Sequence, residues 1–433
     1  MHYYSLQKRS EPVNFRTATL LGQAPDRGLY FPSAIPIWKA GFLEKARQMA
    51  PADLAHEVMA PYVGDTIPSA TLHRILEETL SFPIPLVPIT EKISTLELFH
   101  GPTLAFKDIG ARFMSRCLGY FAGGSGQRIV VLVATSGDTG GAVANGFHHV
   151  PGVDVVILYP SGKVSPVQEK QLTALGGNIH ALEIEGNFDD CQRMVKEAFA
   201  DKDLTKQVFI TSANSINVAR WLPQQLYYIL AWRQWAPAEP PVIAVPSGNF
   251  GNICAGMVAW TSGLPVRHFI AACNANDVVP RFLRGEGYHP SLAQPTLSNA
   301  MDVGDPSNFV RILELFAKNN TTLQHMLSAE SISDAETEST IGSVYAQYGY
   351  TLDPHGAVGY LALERYLAAH SGTAGFFLET AHPLKFPDSV ERITGKPIDV
   401  PAQVASLMKA EKSATRMAPR YEDLRAHVLG LFR

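Results

Sequence analysis

Between residues 128 and 274 the chain repeats one pattern: an unbroken apolar run, a polar turn, then a segment with helical spacing. Arg128–Ala134 reads Arg-Ile-Val-Val-Leu-Val-Ala, rich in β-branched residues and without alternation. A strand with one wet face alternates polar and apolar positions, so a continuous run means that both faces are covered, as in a parallel sheet between helices. Val153–Tyr159 and His180–Glu185 repeat the run. Helical stretches separate them at Ala142–His148, at Ser165–Leu175 before the stop Gly176-Gly177, and at Asp189–Ala200. Parallel strands need crossover connections, so the fold class is α/β with open twisted sheets.

The pattern pauses at the proline-rich Ala236–Pro241, which reads as a hinge, and restarts with strands at Val242–Val245, Val266–Asn274 and Gly375–Leu378. Helices are expected at Ile253–Thr261 and Gly356–His370, and residues 291–308 form a long irregular stretch of a kind that is often functional. Residues 1–95 lack the pattern. They carry a turn and short strand at Asp26–Pro32 and amphipathic stretches near Ala40–Met49, Asp53–Tyr62 and Ala70–Leu80. Phe82–Pro88 has too many prolines for a helix and reads as an extended connection. At 433 residues the chain exceeds one core. The expected division is an N-terminal, mostly helical domain (1–95), a first α/β domain (96–235) and a second (236–433).

Charge narrows the function. The formal net charge is −4, with 18% charged residues and no Lys/Arg cluster, which argues against a nucleic-acid partner. No apolar run reaches the roughly 18 residues of a membrane span, and Met1–Lys8 lacks a signal core, so a cytoplasmic protein is expected. Cys117, Cys191, Cys254 and Cys273 form no CxxC pair and read as reduced thiols, not as a zinc site. The sequon Asn319-Asn320-Thr321 reads as chance.

Three polar loops follow expected buried strands: Thr135–Gly141, Pro246–Asn252 and Glu379–Pro383. In open α/β sheets ligands bind at the carboxyl ends of strands, so the three are expected to share one cleft. Ser247-Gly248-Asn249-Phe250-Gly251-Asn252 runs into a helix N-terminus, where free N–H groups and the helix dipole suit a phosphate. It is neither a Walker loop nor a GxGxxG fingerprint, which favours a monophosphate cofactor over a dinucleotide. Asn214–Arg220 is a second anion candidate, with an arginine able to grip phosphate bidentately. The same residues suit an Asx turn capping the helix that carries Trp221 and Gln224 equally well.

In Glu97–Asp108, the Gly101-Pro102 turn leads through an apolar run to Lys107, between Phe106 and Ile109 at a helix start. Desolvation disfavours an ammonium, so such a lysine can form a Schiff base; the plain alternative is a snorkelling side chain. Lys163 reads as a surface residue, and His100, His382 and His148-His149 as structural. A desolvated lysine, a phosphate loop and two α/β domains are together what a pyridoxal-phosphate enzyme requires.

Glu97–Asp108, Thr135–Gly140, Ser212–Arg220, Pro246–Gly251 and Thr380–Pro383, in that order, resemble the threonine synthase family of fold type II, tryptophan-synthase-β-like enzymes. Tyr4-Ser5-Leu6 and Gly28–Pro32 resemble its N-terminal domain, and the segment after about Ala402 is least distinctive. The resemblance implies pyridoxal 5′-phosphate as cofactor and Lys107 as Schiff-base lysine and proton shuttle. It implies Asp138 near the ring's 3′-oxygen, and Ser247, Gly248, Asn249, Phe250 and Gly251 on the cofactor phosphate. Thr380 would face the pyridine nitrogen. Ser136, Thr139, Asn214, Ser215 and Arg220 would bind the carboxylate and phosphate of the substrate, O-phospho-L-homoserine. The implied reaction yields L-threonine and phosphate. The alternatives are a related phospho-lyase releasing 2-oxobutyrate, a dehydratase acting on free threonine or serine, and a catalytically silent binding relative, which an intact Lys107 argues against.

Overall fold

The structure, a computed structural model, describes residues 1–125, 128–319 and 323–431. The sequon at Asn319 runs from Asn320 into residues outside that description. Three sheets organise the chain. A small antiparallel sheet near the N-terminus orders Val13–Asn14, His2–Ser5 and Tyr30–Pro32. Around it lie helices Phe15–Leu21, Pro51–Val63 and Ser69–Thr79, matching the expected mostly helical start. The expected helix near Ala40–Met49 shrinks to Phe42–Ala46, because Gly41 adopts the left-handed region directly before it.

The second sheet has five parallel strands in the order Thr415–Met417, Ile179–Ile184, Val153–Pro160, Ile129–Ala134 and Phe209–Ser212. The third has six, in the order Leu327–Ser331, His268–Cys273, Val242–Pro246, Gly375–Glu379, Ile93–Glu97 and Leu86–Pro88. Only Leu86–Pro88 runs antiparallel, at the edge, where its proline costs no ladder bond. All eight residues of Val153–Pro160 are buried, as the unbroken apolar run requires of a strand covered on both faces.

Sheet membership crosses the boundaries expected near 95 and 235. Ile93–Glu97 and Leu86–Pro88 sit in the six-stranded sheet, and Thr415–Met417 closes the edge of the five-stranded one. Register explains the first case: Ile93–Glu97 pairs residue for residue with Gly375–Glu379, so the segment before Lys107 is anchored beside Thr380. No helix among the described residues is long and apolar enough to cross a membrane.

The N-terminal unit is fastened to both α/β lobes through one buried arginine. Arg311 donates to the Tyr30 carbonyl at 3.0 Å and to the Ile216 carbonyl at 2.6 Å, and also to Asn308 Oδ1. Its guanidinium lies 4.7 Å over the ring of Trp221, which stacks on Phe31 at 6.1 Å.

Candidate active site

The Lys107 loop is built against the end of the strand Gly375–Glu379. Leu98 N–H donates to Glu379 O (3.0 Å), Phe106 N–H to Thr380 O (2.9 Å) and His382 N–H to Leu104 O (3.0 Å). Ala105 and Ala381 form the bridge between these extended segments. Within the loop, Asp108 accepts from Thr103 N–H (2.9 Å) and Thr103 Oγ1 (2.5 Å), folding the Gly101-Pro102 turn back onto the helix Lys107–Ser125. Tyr227 Oη donates to the Phe106 carbonyl. The lysine therefore projects from the first residue of a helix whose approach is fixed on both sides. Burial pushes its amine below the usual lysine range against the pull of Asp138, with repulsion from Lys385 and Arg220 adding to the effect.

Asp138 comes from the loop after Ile129–Ala134. Its helix, Asp138–Phe147, starts four residues before the Ala142 expected from sequence. Thr135 Oγ1 accepts from Gly137 N–H (3.0 Å) and Gly140 N–H (2.9 Å), so the polar turn is wound tightly. Gly140 can enter the helix because the space beside it is filled: a Cβ there would lie 2.5 Å from Thr135 Cγ2. The buried Asp138 carboxylate sits between two lysines, with Oδ1 2.6 Å from Lys385 Nζ and Oδ2 3.7 Å from Lys107 Nζ. Gln168 Nε2 donates to Oδ1 at 2.9 Å. Although burial opposes ionisation, the two lysines and Gln168 hold the carboxyl well below the ordinary range.

The phosphate-binding candidate follows Val242–Pro246. Phe250 adopts the left-handed region (φ 61°) and turns the chain into the helix Gly251–Thr261, whose first N–H groups have no intrahelical acceptor. Gly248 packs against the irregular stretch, since a Cβ there would lie 2.7 Å from Met301 Cα. Ser307 Oγ donates to Asn249 Oδ1 (2.9 Å) and Asn308 N–H to Asn249 O (3.2 Å), so residues 291–308 brace the loop.

Asn214–Arg220 contains the expected helix cap and also borders the cavity. Asn217 caps the short helix Val218–Trp221 by accepting from Ala219 N–H, and its amide donates to Thr19 O at 2.8 Å. Arg220 is buried, and burial brings its guanidinium down to about 10. It donates to the Ala213 carbonyl, its buried Nε has no partner, and no carboxylate forms an ion pair with it among the described residues. A Cβ on Gly251 would lie 3.8 Å from Ser215 Cβ, so the two anion candidates touch.

All the residues that the resemblance assigns to cofactor or substrate line one cavity of about 760 Å³. Lys107, Ser136, Asp138 and Thr139 border it beside Asn214, Ser215 and Arg220; Ser247, Gly248, Asn249, Phe250 and Gly251 face it from the other sheet, with Thr380. Lys163 is exposed and lies apart from the lining residues. Sequence reasoning missed Lys385, which donates to Asp138 without lining the cavity. It also missed Asp189, Gln192 and Lys196, which border the cavity from the helix Phe188–Ala200. Their spacing puts them on one helical face, a pattern that reads as a solvated stripe when the cleft is unknown.

Behind Thr380 lies a buried acid. Glu379 Oε1 accepts from Asp353 N–H at 2.7 Å, while Oε2 is buried without a partner among the described residues. Asp353 Oδ1 accepts from His355 Nδ1 at 2.6 Å, and His355 Nε2 accepts from Ala300 N–H at 3.1 Å, carrying the network to the cavity wall. Burial, with Asp353 adjacent, pushes Glu379 well above the usual glutamate range. The unfolded chain loses this proton near the ordinary value and the folded chain keeps it, so stability falls as pH rises, by about 1.4 kcal/mol per unit inside that window. Glu379→Gln, which cannot ionise, is expected to escape this loss. Its melting temperature should gain on the wild type as pH rises above the ordinary glutamate range, where the unfolded chains differ in charge and the folded ones do not. Parallel melting curves above that range would show that Glu379 is ionised in the fold.

The residues present fit a pyridoxal-phosphate group. A lysine with a depressed pKa reaches the cavity, a helix N-terminus faces it for a phosphate, and the buried Asn252 Nδ2 beside that helix start has no partner among the described residues. Of the two lysines on Asp138, only Lys107 opens on the cavity, its side chain 16% exposed against 0% for Lys385. Fold and site together define an enzyme of the pyridoxal-phosphate-dependent, fold type II class. The family description "Pyridoxal-phosphate dependent enzyme" matches residues 91–375, "Threonine synthase N terminus" residues 2–80, and "Threonine synthase, C-terminal" residues 356–428. Threonine synthase of Serratia marcescens is 42% identical over 434 residues, covering 100% of both chains; that of Escherichia coli K12 is 43% identical, covering 94% of each. The crystal structure of the Escherichia coli threonine synthase superposes with a TM-score of 0.92 at 41% identity over 100% of both chains. The pyridoxal-phosphate-bound threonine synthase of Brucella melitensis gives 0.93 at 37%, covering 99% of this chain and 98% of that one. The chain belongs to the threonine synthase family, and its cofactor is pyridoxal phosphate.

Proposed function

We propose that the chain converts O-phospho-L-homoserine and water into L-threonine and inorganic phosphate, in the cytoplasm. One observation carries the substrate reading: a second loop, holding a buried Arg220 with no carboxylate partner among the described residues, touches the loop suited to the cofactor's phosphate. A substrate lacking phosphate would leave that guanidinium buried with one counter-charge fewer, which is costly. The absence of a long apolar helix among the described residues and four buried free cysteines support the compartment.

Bound pyridoxal phosphate supplies an electron sink for the charge left when protons leave substrate carbon. Lys107 would hold the aldehyde end, and burial, which lowers its pKa, favours the neutral amine that would take the substrate's α proton and return protons later. Asp138 would act at the ring's 3′-oxygen. Thr380 would serve the pyridine nitrogen, and a hydroxyl there would leave that nitrogen unprotonated. Ser247, Gly248, Asn249, Phe250 and Gly251 would hold the cofactor phosphate, largely through N–H groups. Ser136, Thr139, Asn214, Ser215 and Arg220 hold the substrate's carboxylate and phosphate. The γ carbon–oxygen bond breaks with its electron pair leaving on phosphate, and water's oxygen bonds to the β carbon.

The test is incubation of the holoenzyme with O-phospho-L-homoserine, measuring threonine, 2-oxobutyrate and phosphate separately. Threonine and phosphate are expected in equal amounts. Phosphate with 2-oxobutyrate and no threonine would refute the synthase reading.

A further inference from the structure

Lys385 is the second lysine of the site and has no part in the chemistry above. Its position follows from local structure. His382 Nδ1 accepts from Leu384 N–H at 3.1 Å, winding Pro383–Lys385 into a single turn of 3₁₀-helix. Lys385 N–H closes the turn onto the His382 carbonyl at 3.0 Å. The side chain is driven inward and is fully buried. Its Nζ donates to the Thr103 carbonyl at 2.9 Å and pairs with Asp138 Oδ1 at 2.6 Å.

We propose that Lys385 is a positioning residue that occupies Asp138 and so keeps the Lys107 amine unprotonated and free to capture the cofactor's aldehyde. The geometry supplies the reason. Asp138 carries one negative charge between the fully buried Lys385 and Lys107, which opens on the cavity, and the nearer one takes it: Lys385 at 2.6 Å, against Lys107 at 3.7 Å. Gln168 Nε2 shares Oδ1 with Lys385 and holds the carboxylate in that orientation. Without Lys385, Asp138 would have Lys107 as its only cationic partner. The pair would tighten and the amine would hold its proton, which blocks imine formation.

The charged groups around the three residues agree in sign. Lys107 faces Asp138 on one helix, Lys385 on its turn and Arg220 on another helix; Asp138 draws its pKa up, and the two cations push it down. Lys385 acts besides on Asp108, whose buried carboxyl rises to about 6 despite that pull, and on His382, which falls to about 4 chiefly through burial. Asp108 is already held by Thr103, so Asp138 is the carboxylate with which Lys385 forms its ion pair.

The inference rests on Lys107 being the lysine that bears the cofactor, and the experiment separates the two ideas. The full-length chain, stripped of cofactor, is mixed with pyridoxal 5′-phosphate between about pH 6 and 10, quenched with borohydride at timed intervals, and weighed intact and as peptides. The rate of labelling should rise with pH along the titration of one amine, with the label on Lys107; a label elsewhere overturns both the site reading and the inference. Lys385→Met should move the apparent pKa up by about one unit or more, slowing labelling about tenfold at the acid end. Lys385→Arg, which keeps the charge, should return the profile to that of the wild type. Asp138→Asn, nearly isosteric, should move the profile the opposite way, and decides the matter should Lys385→Met fail to fold. A Lys385→Met profile that overlays the wild type, a Lys385→Arg profile that shifts as far as Lys385→Met, or an Asp138→Asn profile that does not move down would each overturn the inference.

Discussion

Lys107→Ala is expected to lose at least about 10³-fold in turnover while keeping its fold, because it removes the group that moves the proton and the group that anchors the cofactor in one change. The fold should survive for a reason visible in the site. Lys107 is the more weakly placed partner of Asp138, and the carboxylate keeps both Lys385 and Gln168 when it is gone. The loop that presents residue 107 is held by backbone bonds to Thr380 and Leu98's partner Glu379, which the substitution does not touch. The check is twofold: phosphate release from O-phospho-L-homoserine, and the mass of the chain after borohydride reduction in the presence of pyridoxal phosphate. The wild type should gain one cofactor mass and the variant none. A variant that still turns over, or still takes the label at Lys385, would move the chemistry to the other lysine.

Arg220→Ala should weaken use of the phosphorylated substrate far more than it weakens cofactor binding. Removing one partner of a buried, hydrogen-bonded charge pair costs about 2–4 kcal/mol, roughly thirtyfold to a thousandfold, and here the loss should fall mainly on KM. Arg220→Lys should recover part of this, because a lysine keeps the charge but not the planar fork. The melting temperature of each variant must be followed in parallel, since the guanidinium also donates to the Ala213 carbonyl. If affinity for pyridoxal phosphate falls as far as affinity for substrate, Arg220 belongs to the cofactor's phosphate and the two anion sites are one.

The sequence carried the sheets well where burial leaves a local trace. Ile129–Ala134, Val153–Pro160 and Val242–Pro246 are covered on both faces, and an unbroken apolar run is the direct consequence. The site loops were legible because each follows such a strand. What a sequence cannot show locally is which sheet a strand joins: Ile93–Glu97 looks the same whether it opens one domain or completes another. Helix starts at Asp138 and Gly251 were placed two to four residues late, since glycine propensity favours a loop and only close packing, as of Gly140 on Thr135, reverses that preference. Lys385 was missed for a similar reason. In Leu384-Lys385-Phe386 it resembles a surface charge between apolar neighbours, and both partners that bury it, Thr103 and Asp138, lie more than two hundred residues earlier. Arg311 escaped notice within an amphipathic helix whose apolar face contains it.

The short strand Thr415–Met417 carries a consequence for how the molecule is made. It closes the edge of the sheet whose other strands all come from residues 129–212, and Met417 O accepts from Glu185 N–H at 2.9 Å. During synthesis that sheet emerges early, yet keeps an open edge at Ile179–Ile184 until nearly the whole chain has left the ribosome. An exposed parallel edge is a template for pairing with a neighbouring nascent chain. The interval between translation of Ile184 and of Thr415 is therefore when this protein is most exposed to mispairing, and when a chaperone would have most to protect.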